Sequence, residues 1–232
     1  HYDEGNSKDR PLRPIGSSGS QQIYQCDDQF NRNGFFQRNT FRSVFEALEP
    51  FKAGPLAKEP GTYNYTTYGY TLLSAVAEKV HQQNASGDKS KREQIEDYWV
   101  KVLRHDWDMT ETSLDQDEPI LTNRARYYLR TLPNGGLVNA PYTDNSVKWA
   151  GGGLISTVKD LVKFGNALIH SYKRRESSKL KRETLDILWT ERKESYCLGF
   201  STKSLNTSES SGEPRAIYHL GGALGASSAL VI

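Results

Sequence analysis

The chain lacks several features that mark particular classes of protein. Its 232 residues include only two cysteines, Cys26 and Cys197, and a single methionine. Two cysteines cannot form the disulfide framework of a small secreted domain. No apolar run approaches the roughly 20 residues that a helix needs to cross a bilayer, so we expect no membrane span.

An excess of one charge is also missing. The 30 basic and 28 acidic residues leave a net charge of +2, which gives no strong positive field for binding nucleic acid. The histidines and cysteines show none of the short spacings of a metal site, so we predict no metal and no cofactor. The composition, 36% hydrophobic and 25% charged, is that of an ordinary globular chain long enough to bury a core.

The first 50 residues differ from the rest. Aliphatic residues are scarce up to residue 40, where glycine, serine, asparagine, glutamine and charged residues dominate. Such a stretch buries little surface, so we predict an irregular polar insertion over residues 1–50 and one domain over residues 51–232. The apolar run Ala229–Ile232 is typical of a β-strand and extends to the last residue of the sequence. We therefore expect this chain to be a piece of a longer protein, incomplete at both ends.

Apolar spacing predicts four helices. They cover residues 67–80, 94–106, 157–170 and 181–189, where apolar residues recur every three or four positions. The stripe of the first helix comprises Leu72, Leu73, Val76, Ala77 and Val80. Thr157 is placed to cap the third helix, with Asp160 three residues on, as in a capping box.

Three strands are predicted near the end of the chain. They cover residues 196–200, 216–219 and 227–232, and a polar loop over residues 204–212 separates the first two. Helices followed by strands are typical of an α+β architecture, here with an antiparallel sheet.

A nucleophilic serine is the first catalytic group to seek. The S-x-x-K arrangement places an amine one helical turn from a hydroxyl, and it occurs at Ser86–Lys89, Ser156–Lys159 and Ser178–Lys181. Only Ser156–Lys159 begins a predicted helix. There Lys159 lies opposite the apolar face, which predicts a solvated amine rather than a general base. We therefore do not assign Ser156 as the nucleophile.

Three segments carry a more specific pattern. Residues 60–73 read P-G-T-Y-N-Y-T-T-Y-G-Y-T-L-L, residues 149–161 read W-A-G-G-G-L-I-S-T-V-K-D-L, and residues 219–222 read H-L-G-G. The first alone is compatible with simple aromatic packing at a helix entry. In this order, the three resemble the Y-x-N, A-G-G-L-x-S-T-x-x-D-L and K-T-G or H-T-G motifs of serine beta-lactamases and penicillin-binding proteins. The resemblance covers residues 51–232.

The resemblance implies a partial beta-lactamase or transpeptidase-like fold and a serine hydrolase that works by acyl transfer. Tyr65 would carry protons to the leaving group, and the backbone N–H of Gly222 would stabilise the oxyanion. Thr67, His219 and Gly221 would contact substrate. A phenol with a pKa near ~10 needs a cation beside it to act as a base, and a protonated His219 would supply one. The structural alternative for His219 is a histidine that only packs.

The resemblance also implies what this chain lacks. In the family, the catalytic S-x-x-K lies upstream of the segment that carries these motifs. We therefore expect the isolated chain to be inactive and the longer protein to be active.

Two departures from the motifs bear on substrate. Thr67 stands where the family has Asn, and Leu220 stands where it has a hydroxyl residue that binds a substrate carboxylate. Thr67 offers one hydroxyl where Asn offers an amide, and Leu220 offers no hydrogen-bonding group, which favours a peptide or ester substrate over a beta-lactam.

Further segments narrow the resemblance to a mitochondrial branch of the family found in animals, at residues 68–73, 123–128, 141–153 and 219–228. This branch implies a mitochondrial location, assembly into a homo-oligomer or filament, and a link to lipid metabolism. It leaves two hypotheses, a serine hydrolase or peptidase and a non-catalytic scaffold that keeps the fold for assembly.

Overall fold

The computed structural model describes residues 39–56, 58–84, 94–130, 136–174, 179–204, 215–223 and 225–232. Its helices are α1 (Val44–Leu48), α2 (Tyr68–Asn84), α3 (Ile95–His105), α4 (Trp149–Gly152), α5 (Val158–Tyr172) and α6 (Arg182–Trp189), with a 3₁₀ helix at Ser146–Lys148. Its strands are β1 (Ser113–Leu114), β2 (Tyr128–Arg130), β3 (Leu137–Asn139), β4 (Leu154–Ile155), β5 (Ser201–Ser204), β6 (Arg215–Ala223) and β7 (Ala226–Val231).

The four predicted helices are present as α2, α3, α5 and α6, each displaced by a few residues at most. Local chemistry sets their ends. At α5 the side chain of Thr157 accepts a hydrogen bond from the backbone N–H of Asp160 at 3.2 Å, the cap that the sequence predicts.

Helix α1 corrects part of the prediction for residues 1–50. Residues 44–48 are helical rather than irregular, and Ser43 caps them by accepting from the backbone N–H of Glu46 at 3.2 Å. Val44 is buried and packs with Ala75 of α2 and Ile95 of α3. The polar composition before residue 40 therefore does not continue into residues 44–48, which contribute to the core. Residues 1–38 lie outside the described residues, and the boundary at residue 50 stays a prediction.

Helix α2 packs through an unexpected face. The predicted apolar stripe is largely exposed, with Leu72, Leu73, Val76 and Val80 at 50–59% of full exposure. The buried face instead carries Thr71, Ser74, Ala75 and Glu78. It contacts α1, α3, α4 and the 3₁₀ helix, because its small and hydrogen-bonded side chains let these elements approach closely.

The main sheet has three antiparallel strands in the order β5-β6-β7. The predicted strand at residues 196–200 is wrong. Gly199 takes a left-handed φ of +81°, and the N–H of Cys197 donates to the carbonyl of Phe200 at 2.7 Å. These residues therefore form a turn, and β5 starts only at Ser201. Strand β6 runs past residue 219, the predicted end of that strand, to Ala223.

Two smaller antiparallel pairs, β1 with β4 and β2 with β3, complete the sheets of the described residues. The α+β prediction with an antiparallel sheet is confirmed. The predicted polar loop over residues 204–212 lies, after Ser204, outside the described residues.

Candidate active site

Tyr65 and His219 meet although they are 154 residues apart. Tyr65 lies in the extended segment just before α2, and His219 lies on β6. The Oη atom of Tyr65 is 3.5 Å from Nε2 of His219, with ring centroids 6.5 Å apart. The structure thus brings together the first and third motifs of the sequence.

Tyr196 joins this pair. Its Oη atom lies 3.2 Å from the same Nε2 of His219, and its ring packs edge-on against Tyr65 at a centroid distance of 5.5 Å. Sequence reasoning placed Tyr196 in a strand and missed it as a site residue. No local signal marks it, because its position depends on the turn at Gly199.

Burial sets the protonation of these groups. It lowers the pKa of His219 below its ordinary value, opposed by a backbone hydrogen bond at Leu220. Near neutral pH the imidazole is therefore uncharged, which disfavours the cationic role predicted for it. Burial, and then the neighbouring phenols, raise the pKa of Tyr196 far above its ordinary value, so its hydroxyl stays protonated.

The edge of β6 presents backbone donors. Ile217 and Ile232 exchange both backbone hydrogen bonds, at 2.9 and 2.8 Å, and such pairs alternate along an antiparallel ladder. The N–H groups of Leu220 and Gly222 therefore point away from β7. The pairing of β5 with β6 ends at Tyr218, so both N–H groups lie beyond the end of β5.

The remaining predicted residues are more closely packed. Gly221 pairs with Ser228 of β7, whose hydroxyl would collide with any Cβ at Gly221. Gly222 has open space around the same position. Thr67 contacts the backbone of Gly151, where a Cβ would lie 2.7 Å from the Thr67 carbonyl oxygen. The first motif therefore packs against the second through Thr67 and Gly151.

A cavity of about 220 Å³ opens beside Tyr65. Its walls are formed by Tyr63, Asn64, Tyr65, Thr66, Gly69, Tyr70, Leu73 and Tyr196. Most of this wall is aromatic or aliphatic, so the cavity suits an apolar group next to the two phenols.

The Ser156–Lys159 pair takes no part in this arrangement. The Ser156 hydroxyl lies 2.8 Å from that of Thr112, and the Lys159 side chain is exposed, as predicted. Ser86, Lys89 and Ser178 lie outside the described residues.

Neither a metal-binding cluster nor a membrane-spanning helix is found among the described residues. The described part of the chain contains no cluster of three or more His, Cys, Asp or Glu side chains fit to hold a metal ion. Nor does any helix there combine the length and apolar character needed to span a bilayer.

Known proteins resemble the chain in sequence. The sequence model of the Beta-lactamase family matches residues 24–232. The human mitochondrial serine beta-lactamase-like protein LACTB is 37% identical over 226 residues, covering 88% of this chain and 39% of that protein. The mouse protein of the same name is 36% identical over 226 residues, again covering 88% of this chain and 39% of that protein. The chain thus spans about two fifths of the length of these curated relatives.

Solved structures of other proteins share the fold of this chain at lower sequence identity. A D-stereospecific amidohydrolase from a Streptomyces species superposes with a TM-score of 0.62 at 18% identity, over 88% of this chain and 56% of that one. A penicillin-binding protein from Bacillus halodurans gives 0.60 at 16% identity, over 91% and 60%. From the match over residues 24–232, the chain belongs to the Beta-lactamase family of serine hydrolases, as its motifs predict.

Proposed function

We propose that this chain supplies the proton-transfer group and the substrate-binding strand of a serine hydrolase that acts by acyl transfer. The observation that carries the proposal is the approach of Tyr65 Oη to His219 Nε2 at 3.5 Å. Two motifs from opposite ends of the domain converge there, beside an apolar cavity and an open strand edge.

In this mechanism, a serine and its lysine partner come from another part of the longer protein. The serine Oγ bonds to the substrate carbonyl carbon while the C=O π pair moves to oxygen. The N–H of Gly222 at the open edge of β6 stabilises the resulting oxyanion. The partner lysine takes the serine proton as this bond forms. Tyr65 then donates its phenolic proton to the leaving group and recovers a proton from the lysine ammonium as the tetrahedral intermediate collapses to an acyl-enzyme. Water then releases the acyl group by the reverse sequence.

His219 acts in this site through hydrogen bonding rather than charge. Its lowered pKa favours a neutral ring that orients the phenols beside it. The same edge of β6 can pair with an extended substrate backbone, as added strands do in peptide recognition. Together with the departures at Thr67 and Leu220, this edge favours a peptide or ester substrate.

The relatives' names support a mitochondrial location for the protein. We extend the proposal to that compartment and, on the resemblance of the sequence alone, to a link with lipid metabolism.

A second candidate is a non-catalytic scaffold that assembles into oligomers or filaments. It is favoured by the exposed stripe on α2, which leaves apolar surface for contacts between copies. One structural neighbour, at a TM-score of 0.53, is an octameric penicillin-binding protein homologue from Pyrococcus abyssi.

A fluorophosphonate probe on the full-length protein separates the two candidates. Labelling at a serine upstream of this chain, slowed by about 100-fold in Tyr65→Phe, supports the enzyme. Intact assemblies with no labelling support the scaffold. We expect the isolated 232-residue chain to show no turnover, and turnover that Ser156→Ala abolishes would contradict the proposal.

A further inference from the structure

Two phenol oxygens approach one ring nitrogen in this site. Oη of Tyr196 is 3.2 Å and Oη of Tyr65 is 3.5 Å from Nε2 of His219. A neutral imidazole nitrogen either donates its one hydrogen or accepts into its one lone pair. It can therefore serve only one of the two phenols well.

The local backbone fixes Tyr196 in this position. Its carbonyl accepts from the N–H of Arg192 at 2.8 Å, and its N–H donates to the carbonyl of Lys193 at 2.8 Å. The turn that follows depends on Gly199, where a Cβ would meet the Tyr70 hydroxyl at 3.0 Å. Tyr196 is thus held in place by these two backbone hydrogen bonds, by the turn at Gly199 and by the aromatic side chains that line the cavity.

We infer that Tyr196 is a positioning residue of this site, whose hydroxyl donates to Nε2 of His219 and thereby fixes the imidazole tautomer beside Tyr65. The shorter distance assigns the lone pair of Nε2 to Tyr196 rather than to Tyr65. With Nε2 as acceptor, the ring proton of His219 resides on Nδ1. The Tyr196 phenol keeps its proton and so has a hydrogen to donate, and its hydroxyl is also hydrogen-bonded to that of Tyr65.

This assignment explains how a buried neutral histidine serves a proton-transferring tyrosine. Because Tyr196 occupies Nε2, His219 does not hold the proton of Tyr65. That Tyr65 acts on a substrate rests on the proposed function, whereas the tautomer of His219 does not.

Carbethoxylation of the full-length protein by diethyl pyrocarbonate at about pH 7 tests the inference, with mass spectrometry reading each histidine. The reagent attacks an unprotonated ring nitrogen, so the donor on Nε2 protects His219. Tyr196→Phe removes one hydroxyl and keeps the ring, and we expect the rate at His219 to rise about tenfold. Tyr65→Phe is the matched control, and we expect it to change that rate by less than about twofold.

Two results would overturn the assignment. One is an equal response of His219 to both variants, or a larger response to Tyr65→Phe. The other is a rise at His219 that His81 and His170 share, because this would report a loosened fold rather than one lost hydroxyl.

A parallel measurement separates this inference from the proposed function. We expect Tyr196→Phe to slow labelling of the full-length protein by the fluorophosphonate about tenfold, less than Tyr65→Phe does. If the fluorophosphonate never labels the unsubstituted protein, the proposed function fails, and the carbethoxylation rates still decide the role of Tyr196.

Discussion

Gly151 packs directly against Thr67, and the space between them has no room for a side chain at residue 151. This contact joins the first sequence motif to the second. A Cβ at Gly151 would lie 2.5 Å from the Thr67 methyl and 2.7 Å from its carbonyl oxygen. Both distances are far inside van der Waals contact, and one of the two opposing atoms is backbone. The glycine therefore lets the segment just before α2, which carries Tyr65 and Thr67, approach α4.

We accordingly predict that Gly151→Ala destabilises the protein by about 1–3 kcal/mol, the usual cost of overpacking a close contact. Gly222→Ala is the stability control, since a Cβ there meets nothing within 4 Å. Urea unfolding measures both free energies. Equal values for the two variants would show that the Thr67 contact does not constrain the fold.

Asp160 gives a second stability test. It is fully buried, and its Oδ2 accepts from the N–H of Glu111 and from the hydroxyl of Thr112, both at 2.9 Å. Asp160→Asn weakens these charge-assisted bonds, and we expect a loss of about 2–4 kcal/mol in the free energy of unfolding.

The control for Asp160 is Asp186→Asn, in an ion pair with Arg182 whose aspartate side chain is 53% exposed. An exposed pair contributes about 0–1 kcal/mol, so this variant should unfold near the original midpoint. A shift at Asp186 as large as that at Asp160 would show that burial does not set the cost of losing an aspartate charge in this protein.

Local signals predicted four of the six α-helices of the described residues, and non-local contacts explain the main failures. Spacing and the Thr157 cap were sufficient for α5, since both depend on residues within one or two turns. The exposed stripe of α2 could not be foreseen, because periodicity shows that a helix has an apolar face but not what lies against it.

The candidate site divides in the same way. Motif resemblance predicted Tyr65 and His219, which the fold brings together. It missed Tyr196, whose approach to His219 depends on the left-handed Gly199 in a segment predicted to be extended. A glycine following two apolar residues looks the same in a strand and in a turn until the register of β5 is known.

Glu96 makes the stability of the protein depend on pH. Burial, together with repulsion from Glu78, raises its pKa from 4.5 to about 7, although a backbone hydrogen bond opposes this. As pH rises above 4.5, the unfolded chain releases this proton while the folded chain keeps it. Stability therefore falls between about pH 4.5 and pH 7, and this contribution stays constant above that range.

We predict that Glu96→Gln removes this decline. The substitution should raise the free energy of unfolding at about pH 8 by about 3 kcal/mol relative to its effect at about pH 4. Glu118→Gln, at an exposed position, is the control. Chemical denaturation at a series of pH values measures both, and parallel stability curves for Glu96→Gln and the original protein would exclude a raised pKa at Glu96.

The last prediction separates the tyrosine from the serine of the S-x-x-K pair at residues 156–159. Ser156 is bonded to Thr112 at the start of α5, and no described contact links it to Tyr65 or His219. We expect Ser156→Ala to leave the rate of serine labelling in the full-length protein within about twofold, whereas Tyr65→Phe lowers it by about 100-fold through loss of proton transfer. Single-turnover labelling with a fluorophosphonate gives both rates under the same conditions. A large loss with Ser156→Ala and none with Tyr65→Phe would move the site from the β6 edge to the N-terminus of α5.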